Sequence, residues 1–295
     1  MRSVTVAATQ MACGPDAQAN ADRAEALVRE AAGQGANVVL LQELFEGPYF
    51  CSEEHAAHFR LAQEAEKSPL VSRFSGLARE LGCVLPVSFF ERAGNAHYNS
   101  MAMVDANGSV LGLYRKSHIP DGPGYKEKYY FSPGDTGFKA WDTAFGRIGV
   151  GICWDQWFPE GARAMALQGA EMLLYPTAIG SEPSDPSYDS SKHWRNVMRG
   201  HAAANIVPLV ASNRVGAETN RDNTEVTFYG TSFIADHQGE VVGDLPRGEE
   251  GVTVARFDLD AIRELRTIWG LFRDRRPDLY GSLLTLDGRT RTTST

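Results

Sequence analysis

The sequence has few cysteines, and none of them is paired in the way that zinc sites or redox-active disulfides require. Its four cysteines, Cys13, Cys51, Cys83 and Cys153, are far apart along the chain, and no CxxC pair occurs. This spacing argues against zinc-ribbon and thioredoxin-like proteins. Cysteines scattered in this way are typical of free thiols in a reducing compartment rather than of disulfides.

The sequence also lacks a long apolar run and a block of basic residues. No run approaches the roughly 18 apolar residues that span a bilayer, and residues 1–11 lack the features of a signal peptide. With 37 acidic and 29 basic residues, the net charge is −8. Such a chain binds nucleic acid and anionic membranes poorly and favours a cationic substrate. We therefore expect a soluble cytoplasmic protein with no nucleic-acid or membrane partner.

Nucleotide- and metal-binding motifs are missing as well. Neither GxGxxG nor GxxxxGK[ST] occurs, so the loops that bind nucleotide phosphates are absent. His55 and His58 form a close pair, but no third metal ligand lies near them in the sequence, and a solvated helix face is the simpler interpretation. The sequence thus predicts neither a metal nor an organic cofactor.

Two sequence patterns recur at nearly the same offset. Gln34-Gly35-Ala36 and the apolar run after it reappear 134 residues later, and the turn Asp105–Gly108 reappears 131 residues later. These matches predict two halves of similar topology, each a sheet backed by helices; chance similarity between common turns is the alternative. If each half covers one sheet face with helices, packing the other two faces together completes the core. The expected fold is an α/β, four-layer α-β-β-α sandwich, forming one domain over residues 1–288 with a polar tail at 289–295.

Three chemically useful residues each stand at the end of an apolar strand. Cys153 closes the predicted strand 147–153, Glu43 follows the strand Val38–Leu41, and Lys116 ends the strand 110–116. Taken singly, each has a plainer interpretation: an inert buried thiol, a loop carboxylate and a solvated ammonium. Together a thiolate, a carboxylate base and a fixed ammonium make a complete acyl-transfer set that needs no histidine.

The segments around these residues resemble the catalytic motifs of the nitrilase superfamily of carbon–nitrogen hydrolases. The three segments are Leu40-Leu41-Gln42-Glu43, Tyr114-Arg115-Lys116-Ser117-His118-Ile119-Pro120 and Gly149-Val150-Gly151-Ile152-Cys153-Trp154-Asp155. The resemblance extends from Val4 to about Tyr280 and implies the same α-β-β-α sandwich. It implies Cys153 as nucleophile, Glu43 as base, and Lys116 with the backbone N–H of Trp154 as oxyanion donors. It also implies a role for Glu127, otherwise an exposed loop charge, and assembly into a homo-oligomer.

Within the superfamily, the chain is most similar to the enzymes of polyamine synthesis that hydrolyse N-carbamoylputrescine. The segments that carry this similarity are 153–160, 181–186 and 193–205. It implies a Cys153 thioester intermediate and the products putrescine, carbon dioxide and ammonia. The alternatives are an amidase for N-carbamoyl amino acids or ω-amides, and a catalytically silent scaffold subunit. His193, Trp194 and His201 are expected to pack or face solvent rather than to catalyse.

Acidic residues dominate the two segments expected near the substrate's far end. The stretch 154–160 and the long loop 177–190 contain no lysine or arginine. We predict that Glu182, Asp155 and Trp157 bind a small cationic carbamoyl amine. Glu182 is expected to face its ammonium, and the Trp157 indole to add a cation–π contact. Solvated loop charges are the alternative, although a fourteen-residue loop is long and long loops often line sites.

Overall fold

The computed structural model describes residues 2–289, so only Arg289 of the predicted tail 289–295 falls within it. The strands, numbered in chain order, are β1 Ser3–Gln10, β2 Val38–Leu40, β3 Leu85–Ala93, β4 Ala96–Val104, β5 Val110–Arg115, β6 Ala140–Thr143, β7 Gly146–Val150, β8 Met172–Pro176, β9 Leu209–Ser212, β10 Val215–Thr219, β11 Glu225–Tyr229, β12 Phe233–Ala235, β13 Val241–Asp244 and β14 Gly251–Asp258. The α-helices are α1 Ala17–Gly33, α2 Pro69–Leu81, α3 Glu127–Tyr130, α4 Pro159–Leu167, α5 Ser191–Asn205 and α6 Leu259–Trp269.

Local sequence explains where the long helices begin and end. The Asp16 side chain accepts hydrogen bonds from the first turn of α1, and the Ser68 hydroxyl caps α2 just before Pro69. Gly82 ends α2 in a left-handed conformation, with φ of +64°, which glycine adopts without steric cost. No helix within residues 2–289 is long and apolar enough to cross a membrane.

The two sheets have the same strand order, although the first sheet takes one strand, β14, from the C-terminal part of the chain. In the first, β14, β1 and β2 lie side by side, and a parallel bridge between Val38 and Val84 leads on to β3, β4 and β5. In the second, the order is β6, β7, β8, β9, β12 and β13. The parallel pair β1–β2 corresponds to β7–β8, and antiparallel β14 corresponds to β6. The predicted duplication of topology is confirmed.

Apolar side chains fill the space between the sheets and beneath the helices on either side. The central layer joins residues of both sheets: Val6, Val38, Met101, Val150, Leu174 and Val210. Helices α1 and α2 cover the outer face of the first sheet through Leu27 and Phe74. Helices α4 and α5 cover the second through Met165 and Trp194. The predicted four-layer α-β-β-α sandwich is therefore confirmed.

Candidate active site

Cys153 lies on a strained turn between β7 and α4. Strand β7 ends at Val150, not at Cys153 as predicted, and Cys153 begins a 3-10 helix, Cys153–Trp157. Its φ of +42° is unusual for a residue with a side chain. Gly151 is required just before the turn, since a Cβ there would lie 2.8 Å from the Tyr175 ring. The thiol points toward the Ala178 carbonyl oxygen, 3.7 Å away.

Asp155 stabilises this turn from inside the protein. Its buried carboxylate accepts hydrogen bonds from the Ile152 N–H at 3.0 Å and the Tyr114 hydroxyl at 2.7 Å. The His118 backbone N–H and Nδ1 lie 2.9 and 2.7 Å from the same carboxylate. Because both oxygens are occupied and the side chain does not line the cavity, the predicted role of Asp155 in substrate binding is not supported. Asp155 holds the turn that carries Cys153.

Glu43, Lys116 and Glu127 come together at one end of the sandwich. Lys116 follows directly after β5, which ends at Arg115 rather than at the predicted residue 116. Its ammonium donates to Glu43 Oε1 at 2.8 Å and to Glu127 at 2.7 and 2.9 Å. All three side chains are fully buried. The structure thus brings Glu127, whose role the sequence resemblance alone implied, into contact with Lys116.

Charge and burial together set the protonation states of these groups. Burial alone would lower the pKa of Lys116, but Glu127 and Glu43 raise that pKa well above its ordinary value. Burial raises the pKa of Glu127 to about 7, although Lys116 acts in the opposite direction. Burial and Glu43 also raise the pKa of Cys153, against the influence of Lys116. Lys116 is therefore charged, and Cys153 rests as a thiol that needs a base.

Glu43 has the free oxygen that a base requires. Oε1 accepts from Lys116 and from the Asn99 side-chain amide at 2.6 Å. Oε2 is buried and has no hydrogen-bond partner among the described residues. The backbone is fixed as well, since the Glu43 N–H contacts the Thr177 carbonyl oxygen and the Arg214 guanidinium donates to the Glu43 carbonyl oxygen. Oε2 is thus free to accept a proton while Oε1 keeps its contacts with Lys116 and Asn99.

Several supporting residues escaped the sequence analysis. Asn99 binds Glu43, the Tyr49 hydroxyl donates to Glu127 Oε1 at 2.6 Å, and the fully buried Arg214 donates to the carbonyl oxygens of Glu43 and Leu44. Asn99 and Ser100 are polar residues next to the apolar stretch 101–104 of β4, and that position is a usable signal. Arg214 also pairs with Glu218 four residues away, but its contacts with Glu43 and Leu44, like the contact of Tyr49 with Glu127, join residues that are far apart in sequence.

A cavity of about 300 Å³ opens above the thiol. Its wall includes Cys153, Trp157 and Glu182, as predicted, and also Tyr125 and Gln156. Burial raises the pKa of Glu182. Among residues 2–289, the wall contains carboxylates but neither lysine nor arginine, so it suits a cationic ligand.

Next to Cys153, the backbone supplies one candidate hydrogen-bond donor. The Trp154 N–H belongs to the first turn of the 3-10 helix that Cys153 begins. N–H groups at such a position have no carbonyl partner within their own helix. This is consistent with the predicted oxyanion role of the Trp154 backbone.

Of the three residues not expected to catalyse, one lines the cavity and two are buried. His193 lies in the cavity wall with its ring 4.9 Å from that of Trp157. Trp194 and His201 are buried, and both contact Gln156, through the Trp194 indole N–H and His201 Nε2. Over residues 2–289, no group of three or more histidine, cysteine or acidic side chains is arranged to hold a metal.

The chain is similar to known proteins over most of its length. The carbon–nitrogen hydrolase family matches residues 5–267. N-carbamoylputrescine amidase of Solanum lycopersicum is 62% identical, with 97% of each chain covered. Citrullinase of Francisella tularensis is 52% identical over 96% of this chain and 99% of the relative. The crystal structure of a carbon–nitrogen hydrolase from Helicobacter pylori superposes with a TM-score of 0.91 at 38% identity, covering 96% of this chain and 99% of the other.

Proposed function

Because this chain belongs to the carbon–nitrogen hydrolase family, we propose that it hydrolyses N-carbamoylputrescine to putrescine, carbon dioxide and ammonia. The observation that carries the proposal is a single cavity with Cys153 at one part of its wall and the carboxylate of Glu182 at another; among the described residues, the wall contains neither lysine nor arginine. A carbamoylated diamine matches both features, since it has a ureido carbon to attack and a distant ammonium to bind.

In the first step, Glu43 Oε2 accepts the proton of the Cys153 thiol, and the thiolate attacks the ureido carbon. The oxygen of the carbonyl becomes an oxyanion that the Lys116 ammonium and the Trp154 N–H stabilise. The proton returns to the terminal nitrogen, the C–N bond breaks and ammonia leaves. Cys153 then carries the 4-aminobutyl carbamoyl group as a thioester.

In the second step, Glu43 removes a proton from water, and the resulting hydroxide attacks the thioester carbon. The C–S bond breaks, Cys153 regains its proton and the carbamate of putrescine is released. This carbamate loses carbon dioxide to give the free diamine. Glu127 supports both steps, because its contact with the ammonium keeps Lys116 in place at 2.7 Å.

Glu182 is the proposed partner of the substrate ammonium. It lies in the cavity wall and is half-buried, so a cation beside it meets less competition from water than at an exposed carboxylate. Other acidic residues of the same loop are occupied or lie elsewhere: Asp189, for example, pairs with Arg247 at 2.9 Å. Trp157 adds an aromatic surface beside the chain that leads to the ammonium.

The relative that is a citrullinase suggests a second substrate, since citrulline has the same ureido group next to an α-amino acid. Its carboxylate requires a cationic partner, usually arginine or lysine, and the part of the cavity wall that the structure describes contains neither. We therefore expect N-carbamoylputrescine to be preferred to citrulline and to N-carbamoyl-β-alanine.

Ammonia release from N-carbamoylputrescine, citrulline, N-carbamoyl-β-alanine and N-pentylurea tests the proposal. In N-pentylurea a methyl group replaces the ammonium while the length is kept. We expect the highest kcat/KM for N-carbamoylputrescine. A higher kcat/KM for either carboxylate substrate overturns the assignment, and absence of turnover with all four favours the scaffold alternative.

Glu182→Gln separates the binding of the ammonium from the chemistry. We expect KM for N-carbamoylputrescine to rise about tenfold or more, since a charge-assisted hydrogen bond is worth about 1.5–3 kcal/mol. KM for N-pentylurea should not change. Asp185→Asn is the matched control in the same loop, because Asp185 is exposed and lies outside the wall. Equal effects of Glu182→Gln on both substrates contradict the proposed pairing.

Two further expectations remain part of this proposal. Assembly into a homo-oligomer rests on the family resemblance, and size-exclusion chromatography with light scattering tests it. The cytoplasmic location rests on composition and on the expected free thiols.

A further inference from the structure

Gln156 has a buried hydrogen-bond donor that nothing in the described chain satisfies. Its side chain is fully buried and forms part of the cavity wall. The amide oxygen has partners, but the amide nitrogen, Nε2, has none among the described residues. A buried donor without an acceptor is unfavourable, and native proteins seldom keep one without a function.

The orientation of this amide follows from its neighbours. Oε1 lies 2.7 Å from Trp194 Nε1 and 2.8 Å from the Thr177 hydroxyl oxygen. An indole N–H can only donate, so the Gln156 atom facing it must be the carbonyl oxygen. The two N–H groups of Nε2 therefore point away from Trp194 and Thr177.

The nucleophile lies in the same short helix and lines the same cavity. Cys153 begins the 3-10 helix Cys153–Trp157, Gln156 follows three residues later, and both residues line the cavity. Thr177, which holds Oε1, directly precedes Ala178, whose carbonyl oxygen contacts the Cys153 thiol.

We propose that the side-chain NH₂ of Gln156 donates a hydrogen bond to the oxygen of the ureido group, as a further oxyanion donor beside Lys116 and Trp154. This inference rests on the proposed function. N-Carbamoylputrescine has donors at its ureido nitrogens and its ammonium, so the ureido oxygen is its one good acceptor. The negative charge that forms on this oxygen strengthens the bond in the transition state.

Gln156→Met tests the proposal, because methionine keeps the length and volume and removes both N–H groups. We expect kcat/KM for N-carbamoylputrescine to fall about 10- to 100-fold, mainly through kcat, which is the change expected for one hydrogen bond to a charged oxygen. Methyl methanethiosulfonate reacts with a thiol but has no carbonyl oxygen that Gln156 could stabilise. The rate at which it modifies Cys153 should therefore stay within about threefold of the wild-type rate. Gln168→Met is the matched control, since the Gln168 amide donates to the Phe138 carbonyl oxygen, outside the cavity.

A second pair of variants removes the risk that methionine disturbs the fold by leaving the Trp194 N–H without an acceptor. Trp194→Phe is compared with the double variant Trp194→Phe/Gln156→Met, and the same 10- to 100-fold difference is expected. An equal kcat/KM within either pair overturns the inference, as does a parallel loss of thiol modification and thermal stability. Failure of the wild type to hydrolyse N-carbamoylputrescine would instead reject the proposed function itself.

Discussion

Lys116→Met is the most informative single change, because Lys116 lies between two buried carboxylates. Methionine keeps the length of the side chain and removes the charge that contacts Glu43 and Glu127 at 2.8 and 2.7 Å. Removal of one partner from a buried ion pair typically costs about 3–5 kcal/mol of folding stability. It also removes an oxyanion donor, for which we expect a loss of about 10²–10³ in kcat.

The stability penalty should depend on pH in a defined direction. In the wild type, burial raises the pKa of Glu127 to about 7 while Lys116 opposes the rise; without Lys116 this pKa is higher still. A carboxyl whose pKa is higher in the folded than in the unfolded chain gives the folded state more bound protons. Stability therefore falls as pH rises from the unfolded-state pKa to the folded-state pKa. In the Lys116→Met variant this pH range extends above pH 7, and each pH unit there lowers the free energy of unfolding by about 1.4 kcal/mol. From pH 7 to 8.5 the penalty should therefore grow by about 2 kcal/mol.

Urea unfolding at pH 6, 7 and 8.5 measures this penalty, and ammonia release measures activity. Lys67→Met is the control: Lys67 also pairs with a glutamate, Glu64, but its side chain is 76% exposed, so its penalty should stay below about 1 kcal/mol at each pH. A penalty for Lys116→Met that is small, or that does not increase with pH, would refute the view that Lys116 compensates the buried charge of Glu127.

Two further variants test the remaining members of the catalytic set. Cys153→Ala should abolish turnover with a stability cost of only about 1–2 kcal/mol, because the nucleophile has no substitute and only one sulfur is lost. Substantial hydrolysis by the purified variant would reject Cys153 as nucleophile. Cys83→Ala serves as the control. Glu43→Gln should be almost inactive because an amide cannot accept the thiol proton. The protein should still fold, since the amide oxygen can accept hydrogen bonds from Lys116 and Asn99. Wild-type rates in this variant would show that the base lies elsewhere.

Much of the fold was available from local patterns. The repeats at nearly one offset correspond to two sheets of equal strand order. Neither the repeats nor the candidate site residues indicated the hairpin of β10 and β11 or helix α6. The spacing of Leu259 and Ile262 after the capping residue Asp258 is a helix signal that was present in the sequence. In β10, residues 216–218 are Gly, Ala and Glu, and the lack of β-branched or aromatic side chains among them weakens the strand pattern.

The sequence by itself determined which residue types meet at the site, because Glu43, Lys116 and Cys153 each lie within three residues after the end of a strand, and strand ends of one sandwich gather at one edge. Only the tertiary structure decided the partner of each polar group. Asp155 and Glu182 are equivalent as acidic residues near the nucleophile, yet Asp155 is saturated by Tyr114 and His118 whereas Glu182 faces the cavity. These partners come from elements distant in sequence, so local pattern carries no record of them; burial and hydrogen bonding are properties of the packed chain.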